Sequence, residues 1–262
     1  MQQTFEAEVD ASAYMLRAAE TSVGQAYKTL ALRHLALTAG DTVVDLGCGP
    51  SADLRRYAEA VGPSGQVVGV DHDATAVTDA RARTADLPQV QVWSADITAL
   101  DLASGSVDAV HADRVLQHVA DPAAAVTEAV RILKPGGRVV FAEPDWRTLV
   151  VDHPEPQLSE AFTRYVVEYQ VRNPWIGIAL PRLCRTAGLT EVTLIPVTTV
   201  FETLAAADHI LGFDRVSQRA VDRGLLSAAD RRRWLAELAS NWTSASVTLF
   251  MVAAAQSKPV TA

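Results

Sequence analysis

The sequence contains little cysteine, little lysine and no long hydrophobic run. Its two cysteines, Cys48 and Cys184, are too few for a disulfide framework, and neither has a zinc-binding spacing. No apolar stretch approaches the ~20 residues needed to cross a bilayer, and Glu6, Glu8 and Asp10 stand where a secretory signal carries positive charge. These absences predict a cytoplasmic protein with no metal and no membrane partner.

The sequence also has fewer basic than acidic side chains. The chain has 23 basic and 31 acidic side chains, a formal charge of -8. The average field therefore repels phosphate backbones, and nucleic acid is not expected as a partner. Hydrophobic residues make up 49% of the 262 positions, which is enough for the large core of a globular protein.

Short valine-rich runs alternate with helical stretches between residues 42 and 143. This alternation is typical of a parallel α/β sheet with crossover helices. We predict strands at 42–46, 66–71, 90–93, 107–112 and 138–143, and helices at 52–61, 74–85 and 122–133. Ligands bind such sheets at the carboxyl ends of the strands, where each of these runs ends in or beside a polar residue.

The flanking segments are predicted to cover this sheet. Apolar residues at helical spacing indicate one or two leading helices, and strands are expected at 192–201 and 247–255 after a proline-containing insert. We predict a single domain, 1–262, in which 1–41 forms a helical lid, 42–143 binds the cofactor, and 144–262 supplies a substrate insert and the closing strands.

The sharpest motif is a buried strand that runs into a glycine turn, from Val43 to Ser51. Gly47 and Gly49 let a ligand approach the backbone closely and leave helix N-terminal amides free for an anionic group. Asp45, two residues before the first glycine, would repel a dinucleotide's pyrophosphate but suits a cationic amino group. The motif therefore favours a cationic cofactor.

Two further acidic residues follow neighbouring strands. Asp71 comes 22 residues after Gly49, where a carboxylate accepts hydrogen bonds from a ribose diol. Asp96 is placed to accept from an adenine amino group while Ile97 packs on the ring, although Asp96 alone is more often a helix N-cap.

Together with the segments 114–119 and 131–138, these motifs resemble the class I S-adenosylmethionine (SAM)-dependent methyltransferases, and among them the ubiquinone/menaquinone-type small-molecule enzymes. The resemblance implies a Rossmann-like, mostly parallel seven-stranded sheet with a reversed last hairpin, N-terminal helices and a helical cap. The family usually has another glycine where Ser51 stands. The resemblance implies SAM as cofactor, S-adenosylhomocysteine (SAH) as product and a small-molecule substrate. It leaves the oligomeric state open, with a homodimer as one expectation.

The resemblance also assigns residues to roles in the site. Cofactor contacts are expected from the two glycines and from Asp45, Asp71, His72, Asp96, Ile97, Asp113 and Tyr14. Candidate bases for an acceptor that must lose a proton are His118, then Glu143 and Asp145. Substrate contacts are expected from Arg114, His118, Trp146 and Trp175. Each has a structural alternative: a core aromatic, a surface ion pair, or a histidine that only supports the cofactor loop.

Three functions stay open at this point. The favoured one is transfer of a methyl group to O, N or C of a small organic molecule, such as a secondary metabolite. A SAM-binding enzyme that does not methylate, for example a cyclase, is the second, because function does not follow from fold. A NAD-dependent oxidoreductase is disfavoured by Asp45 and by the missing third glycine.

Overall fold

The computed structural model of the protein describes residues 22–257. Its strands are β1 (Thr42–Leu46), β2 (Gln66–Asp71), β3 (Val90–Ser94), β4 (Val107–Asp113), β5 (Leu133–Val151), β6 (Leu189–Phe201) and β7 (Ala245–Gln256). Its helices are α1 (Ser22–Leu35), α2 (Leu54–Val61), α3 (Ala74–Arg83), α4 (Pro122–Ile132), α5 (Pro156–Tyr165), α6 (Ile176–Thr186), α7 (Leu204–Leu211), α8 (Phe213–Asp222) and α9 (Ala228–Ser240), with a π-helical turn at Val166–Gln170. Tyr14 and most of the predicted lid lie outside the described residues.

The strands form one seven-stranded sheet in the order β3-β2-β1-β4-β5-β7-β6. Strands β1 to β5 pair in parallel, and β7 runs antiparallel between β5 and β6. The buried valines of β1 and β2 explain this placement, because a strand that is covered on both faces reads as a continuous apolar run. The predicted fold class, including the reversed last hairpin, is confirmed.

Helices cover both faces of the sheet and a separate apolar cluster builds the cap. One face packs against α4 and α6, and the other against α1, α2 and α3. The third cluster joins the end of β5 to α5, α8 and α9, with Phe162, Phe213 and Trp234 fully buried. Within residues 22–257, no helix has the length and hydrophobicity to cross a bilayer.

Strand β5 is much longer than predicted, extending to Val151 rather than ending at Glu143. Proline had marked the expected end because it cannot donate to a strand ladder. The register with β4 stops at Ala142, so Pro144 has a strand partner only on the β7 side. The extended strand carries the chain from the sheet into the cap.

Candidate active site

A cavity of about 1770 Å3 opens at the carboxyl ends of β1 to β4. Its near end is walled by α1, the turn after β1 and the ends of β2, β3 and β4. Its far end is walled by the end of β6, by α7 and by β7. Ligand pockets commonly measure roughly 300–1,000 Å3, so this cavity has room for a cofactor and a second molecule.

The glycine turn after β1 brings the backbone to the cavity wall. Gly47 has φ +67°, and a Cβ placed there would lie 2.4 Å from a methyl carbon of Val115. Both the backbone conformation and the close approach therefore require glycine. Ser51, where the family usually has glycine, also has a positive φ of 75°. Its backbone keeps the conformation that glycine favours, at a cost in strain.

Asp71 lies at the wall and is already ordered by the turn. Its carboxylate accepts the N–H groups of Gly49 and Asp73, each at 2.9 Å. These two bonds leave lone pairs for a ribose diol, because an ionised carboxylate accepts about four hydrogen bonds. His72 also lines the cavity, with Nδ1 3.3 Å from an oxygen of Asp71 and a side chain 92% exposed.

Asp96 and Ile97 line the wall beyond the ribose position. One oxygen of Asp96 accepts from the N–H and the hydroxyl of Thr98 at 2.8 and 2.7 Å, and these bonds lower the pKa of Asp96. Asp96 therefore caps a turn, and since no helix begins there, the helix N-cap considered from the sequence is not found. The second oxygen of Asp96 accepts no hydrogen bond from residues 22–257, and the buried Ile97 side chain provides an apolar surface beside it.

Asp113 ends β4 in a buried network with α1. One oxygen accepts from Tyr27 and Lys28 at 2.8 Å each, and the other lies 3.3 Å from Nε of Arg114. Lys28 also pairs with the buried Asp53. Burial raises the pKa of Asp113, but the positive charges of Lys28 and Arg114 outweigh it and hold this pKa well below its usual range. Asp113 therefore presents a negative charge to the cavity.

Asp45 lies beneath this wall, not in it. Its carboxylate is 2.9 Å from Nδ1 of His111, its neighbour on β4, and both side chains are buried. Burial opposes protonation of His111, but the hydrogen bond and charge of Asp45 raise the pKa of His111 above its ordinary value. Asp45 therefore stabilises the protonated form of His111. A direct contact of Asp45 with the cofactor stays a prediction.

The loop after β4 is held by Glu143. One carboxylate oxygen accepts the N–H groups of Val115 and Leu116 at 2.7 and 2.6 Å, and the other accepts that of Gln117 at 3.3 Å. Burial raises the pKa of Glu143 to about 8, although these bonds oppose the shift. Asn173 closes the loop from the other side by donating to the carbonyls of residues 116 and 119.

This loop presents polar groups to the far end of the cavity. Gln117 accepts from Nε1 of Trp146 at 2.7 Å, and both residues line the wall. His118 lines it as well, and burial lowers the pKa of its imidazole to about 4. Among residues 22–257 its ring has no hydrogen-bond partner. His118 is therefore a neutral group available to a ligand.

Several predicted site residues do not reach the cavity. Glu143 and Asp145 are buried on the opposite side of β5 from Pro144 and Trp146, as the two-residue period of a strand requires. Asp145 pairs with Arg147 at 2.6 Å. Trp175 is 50% exposed, with the Arg147 guanidinium over its ring. The structure thus places these three away from the cavity, while Arg114 lies in its wall.

Other wall residues had a weak sequence signal or none. Tyr27 belongs to a predicted leading helix, where it could close over the cofactor or, as the favoured interpretation, be a core aromatic. Lys28, which contacts the wall residue Asp113, was only one of three lysines. Gln117 belongs to a segment that carried the family resemblance, so its position after β4 was a usable signal. The far wall is formed by Thr198, Thr199, Phe201, Ala205, Ala206, His209 and Ile210. These residues come together only through the packing of α7 against β6 and β7.

Residues 37–179 match the family described as Methyltransferase domain. The chain is also 46% identical, over 94% of its length and 71% of the other's, to a 37.1 kDa protein in transposon TN4556 of Streptomyces fradiae. It is 30% identical to the 2-phytyl-1,4-naphtoquinone methyltransferase of Thermosynechococcus vestitus, over 55% of this chain and 61% of that one. The chain therefore spans less than two thirds of that relative.

A solved structure shows a similar fold. Phosphoethanolamine N-methyltransferase 2 of Haemonchus contortus, in complex with phosphomonomethylethanolamine and SAH, superimposes with a TM-score of 0.62 at 18% identity. The match covers 97% of this chain and 58% of that chain. Because the family match spans more than half of the sequence, the chain belongs to the methyltransferase domain family. The membership of the methyltransferase family that the sequence predicted is confirmed.

Proposed function

We propose that the protein transfers a methyl group from SAM to a small organic acceptor with a largely apolar body. One observation carries this proposal: a single cavity joins an acidic, polar end to an end where the apolar residues of α7 and β7 stand beside threonines, Glu202 and His209, and which we call the apolar end. The acidic end matches a cofactor with cationic groups and a ribose, and the apolar end matches a separate acceptor. Cofactor and acceptor then share one water-poor space, which methyl transfer requires.

The residues of the near end fit SAM. Asp71 holds the ribose, Asp96 and Ile97 hold the adenine, and Gly47 lets the methionine part approach the backbone. Asp113 attracts the amino group, because its carboxylate is ionised and faces the cavity. When bound, SAM supplies an electrophilic methyl on a positively charged sulfur. The protein's task is to align the acceptor with that methyl, because orientation supplies much of the rate.

The far end defines the acceptor. Trp146, held through its indole N–H by Gln117, and the apolar residues of α7 and β7 provide walls for a flat apolar group. The naphtoquinone methyltransferase relative supports such an acceptor. Neutral His118 accepts a hydrogen bond from the acceptor's hydroxyl or amine. Since the pKa of His118 is about 4, it is a weak base, and this favours acceptors that lose their proton readily.

Calorimetric titration tests the cofactor part. SAM and SAH should bind without added metal, whereas NAD should not bind. Tight binding of NAD would restore the oxidoreductase alternative. Transfer of label from methyl-labelled SAM to phenols, quinols or amines tests the reaction. A cyclised product without transferred label would instead identify the enzyme as a SAM-binding cyclase.

The cytoplasmic location and the homodimer stay predictions. Light scattering on the purified protein should give the mass of one or two chains. A mass of one chain at every protein concentration would contradict the homodimer. A fluorescent fusion should distribute evenly through the cell.

A further inference from the structure

Four buried carboxylates lie under the near end of the cavity, and we call them the acidic floor: Asp45, Asp53, Asp71 and Asp113. Their side chains are between 6 and 11% exposed. They come from β1, the N-terminus of α2, and the ends of β2 and β4. Buried carboxylates are costly unless positive charge compensates them.

Basic side chains also face the acidic floor. Lys28 contacts Asp53 and Asp113, Arg114 lies beside Asp113, and His111, whose pKa is raised by Asp45, lies beside Asp45. The Tyr27 hydroxyl donates to Asp113, and burial raises the pKa of Tyr27 so that it adds no charge; His72 lies 3.3 Å from Asp71 but is 92% exposed and screened by water. Among residues 22–257, the four carboxylates of the floor thus outnumber Lys28 and Arg114, the two basic groups that are always ionised.

Lys28 differs from an ordinary surface lysine. Its side chain is 2% exposed, and its ammonium joins α1 to both α2 and β4. Burying an ammonium away from water is unfavourable, and apolar residues of similar volume often stabilise a fold as well as a buried ion pair does. Stability alone therefore does not explain a lysine here. Lys28 does not line the cavity, but its ammonium contacts Asp113, which does, and this contact indicates an electrostatic role toward the ligand.

We propose that Lys28 sets the net charge of the acidic floor and thereby its preference for SAM over SAH. The inference rests on the proposed function. SAM and SAH share an amino group and a carboxylate and differ by the positive charge of the sulfonium. The excess of carboxylates in the floor favours the ligand that carries this extra charge. Lys28 limits this preference, and Asp53, which does not line the cavity, increases it through the same field.

Two substitutions should move the preference in opposite directions. Lys28→Met removes a positive charge at similar volume, so the ratio of SAH Kd to SAM Kd should rise about threefold or more. Asp53→Asn removes a negative charge, so the ratio should fall by a similar factor. The Asp53 side chain makes no cap hydrogen bond to α2, so this change leaves helix capping intact. Calorimetry at low salt measures all four constants.

Two controls separate charge from packing. Lys28→Arg keeps the charge, and Lys134→Met breaks the half-exposed Lys134–Asp108 pair away from the cavity. Both should leave the ratio unchanged. If Lys28 only supports the fold, each Lys28 or Asp53 variant will weaken both ligands equally, and an unchanged ratio in Asp53→Asn overturns the proposal even if Lys28→Met does not fold. A wild-type chain that binds neither ligand overturns the proposed function instead.

Discussion

Replacing Gly47 by alanine should damage the fold and the site together. Gly224 provides a control, because it has a similar φ of +72° but nothing within 4 Å of an added Cβ. A left-handed conformation costs a non-glycine residue roughly 1–2 kcal/mol, which both variants share. Only Gly47→Ala adds the 2.4 Å contact with Val115, and overpacking typically costs another 1–3 kcal/mol.

Urea unfolding of both variants gives the comparison. We expect Gly224→Ala to lose about 1–2 kcal/mol of unfolding free energy and Gly47→Ala about 2–5 kcal/mol. Adding Val115→Ala to the Gly47 variant removes the two methyl carbons that lie 2.4 and 2.6 Å from the new Cβ, so part of the loss should return. Equal losses at the two glycines, or no rescue by Val115→Ala, would refute the steric argument.

Three further predictions concern the wall and its support. Asp71→Asn should raise the SAM Kd at least about tenfold, because it weakens charge-assisted hydrogen bonds to the ribose worth about 1.5–3 kcal/mol each. A Kd that calorimetry finds unchanged would mean that Asp71 does not bind the ribose. Glu143 has a raised pKa of about 8, so its contribution to stability is complete below its unfolded pKa and is lost as pH rises toward 8. The midpoint of urea unfolding should therefore fall as pH rises, and Glu143→Gln should make this fall smaller. Identical pH profiles of the wild type and the variant would contradict the raised pKa. The low pKa of His118 predicts a turnover that is flat from about pH 6 to 8 and falls only toward pH 4, while His118→Ala lowers turnover ~10-fold or more at unchanged SAM affinity. A titration centred near 6.5 would contradict the lowered pKa, and its persistence in His118→Ala would show that another group is involved.

The cofactor end of the site was readable from the sequence because its geometry is local. Asp71 ends a valine-rich strand, and such an end must lie at the ligand edge of a parallel sheet. Strand bounds at 42–46 and 66–71 agree with the structure for the same reason. The roles of these residues toward SAM stay predictions until binding is measured.

The acceptor end was not readable because it depends on tertiary packing. Predicting which side of β5 faces the cavity required knowing that the strand continues past Pro144. Glu143 and Asp145 looked suitable as bases by residue type, yet the strand's alternation turns both away. Lys28 and Asp113 are 85 residues apart in the chain, so no local pattern connects them.

The register of β6 with β7 makes part of the acceptor wall exchangeable. Phe201 and Ala245 are directly paired, so the chain leaves the sheet and returns to it at neighbouring positions. The intervening residues 202–244 carry α7, α8 and α9, and they lie beyond the family match, which ends at residue 179. A chain segment whose two ends lie side by side in a sheet can be replaced with little effect on the rest of the fold. Grafting this segment from a relative should therefore change which acceptor is methylated while leaving cofactor binding intact.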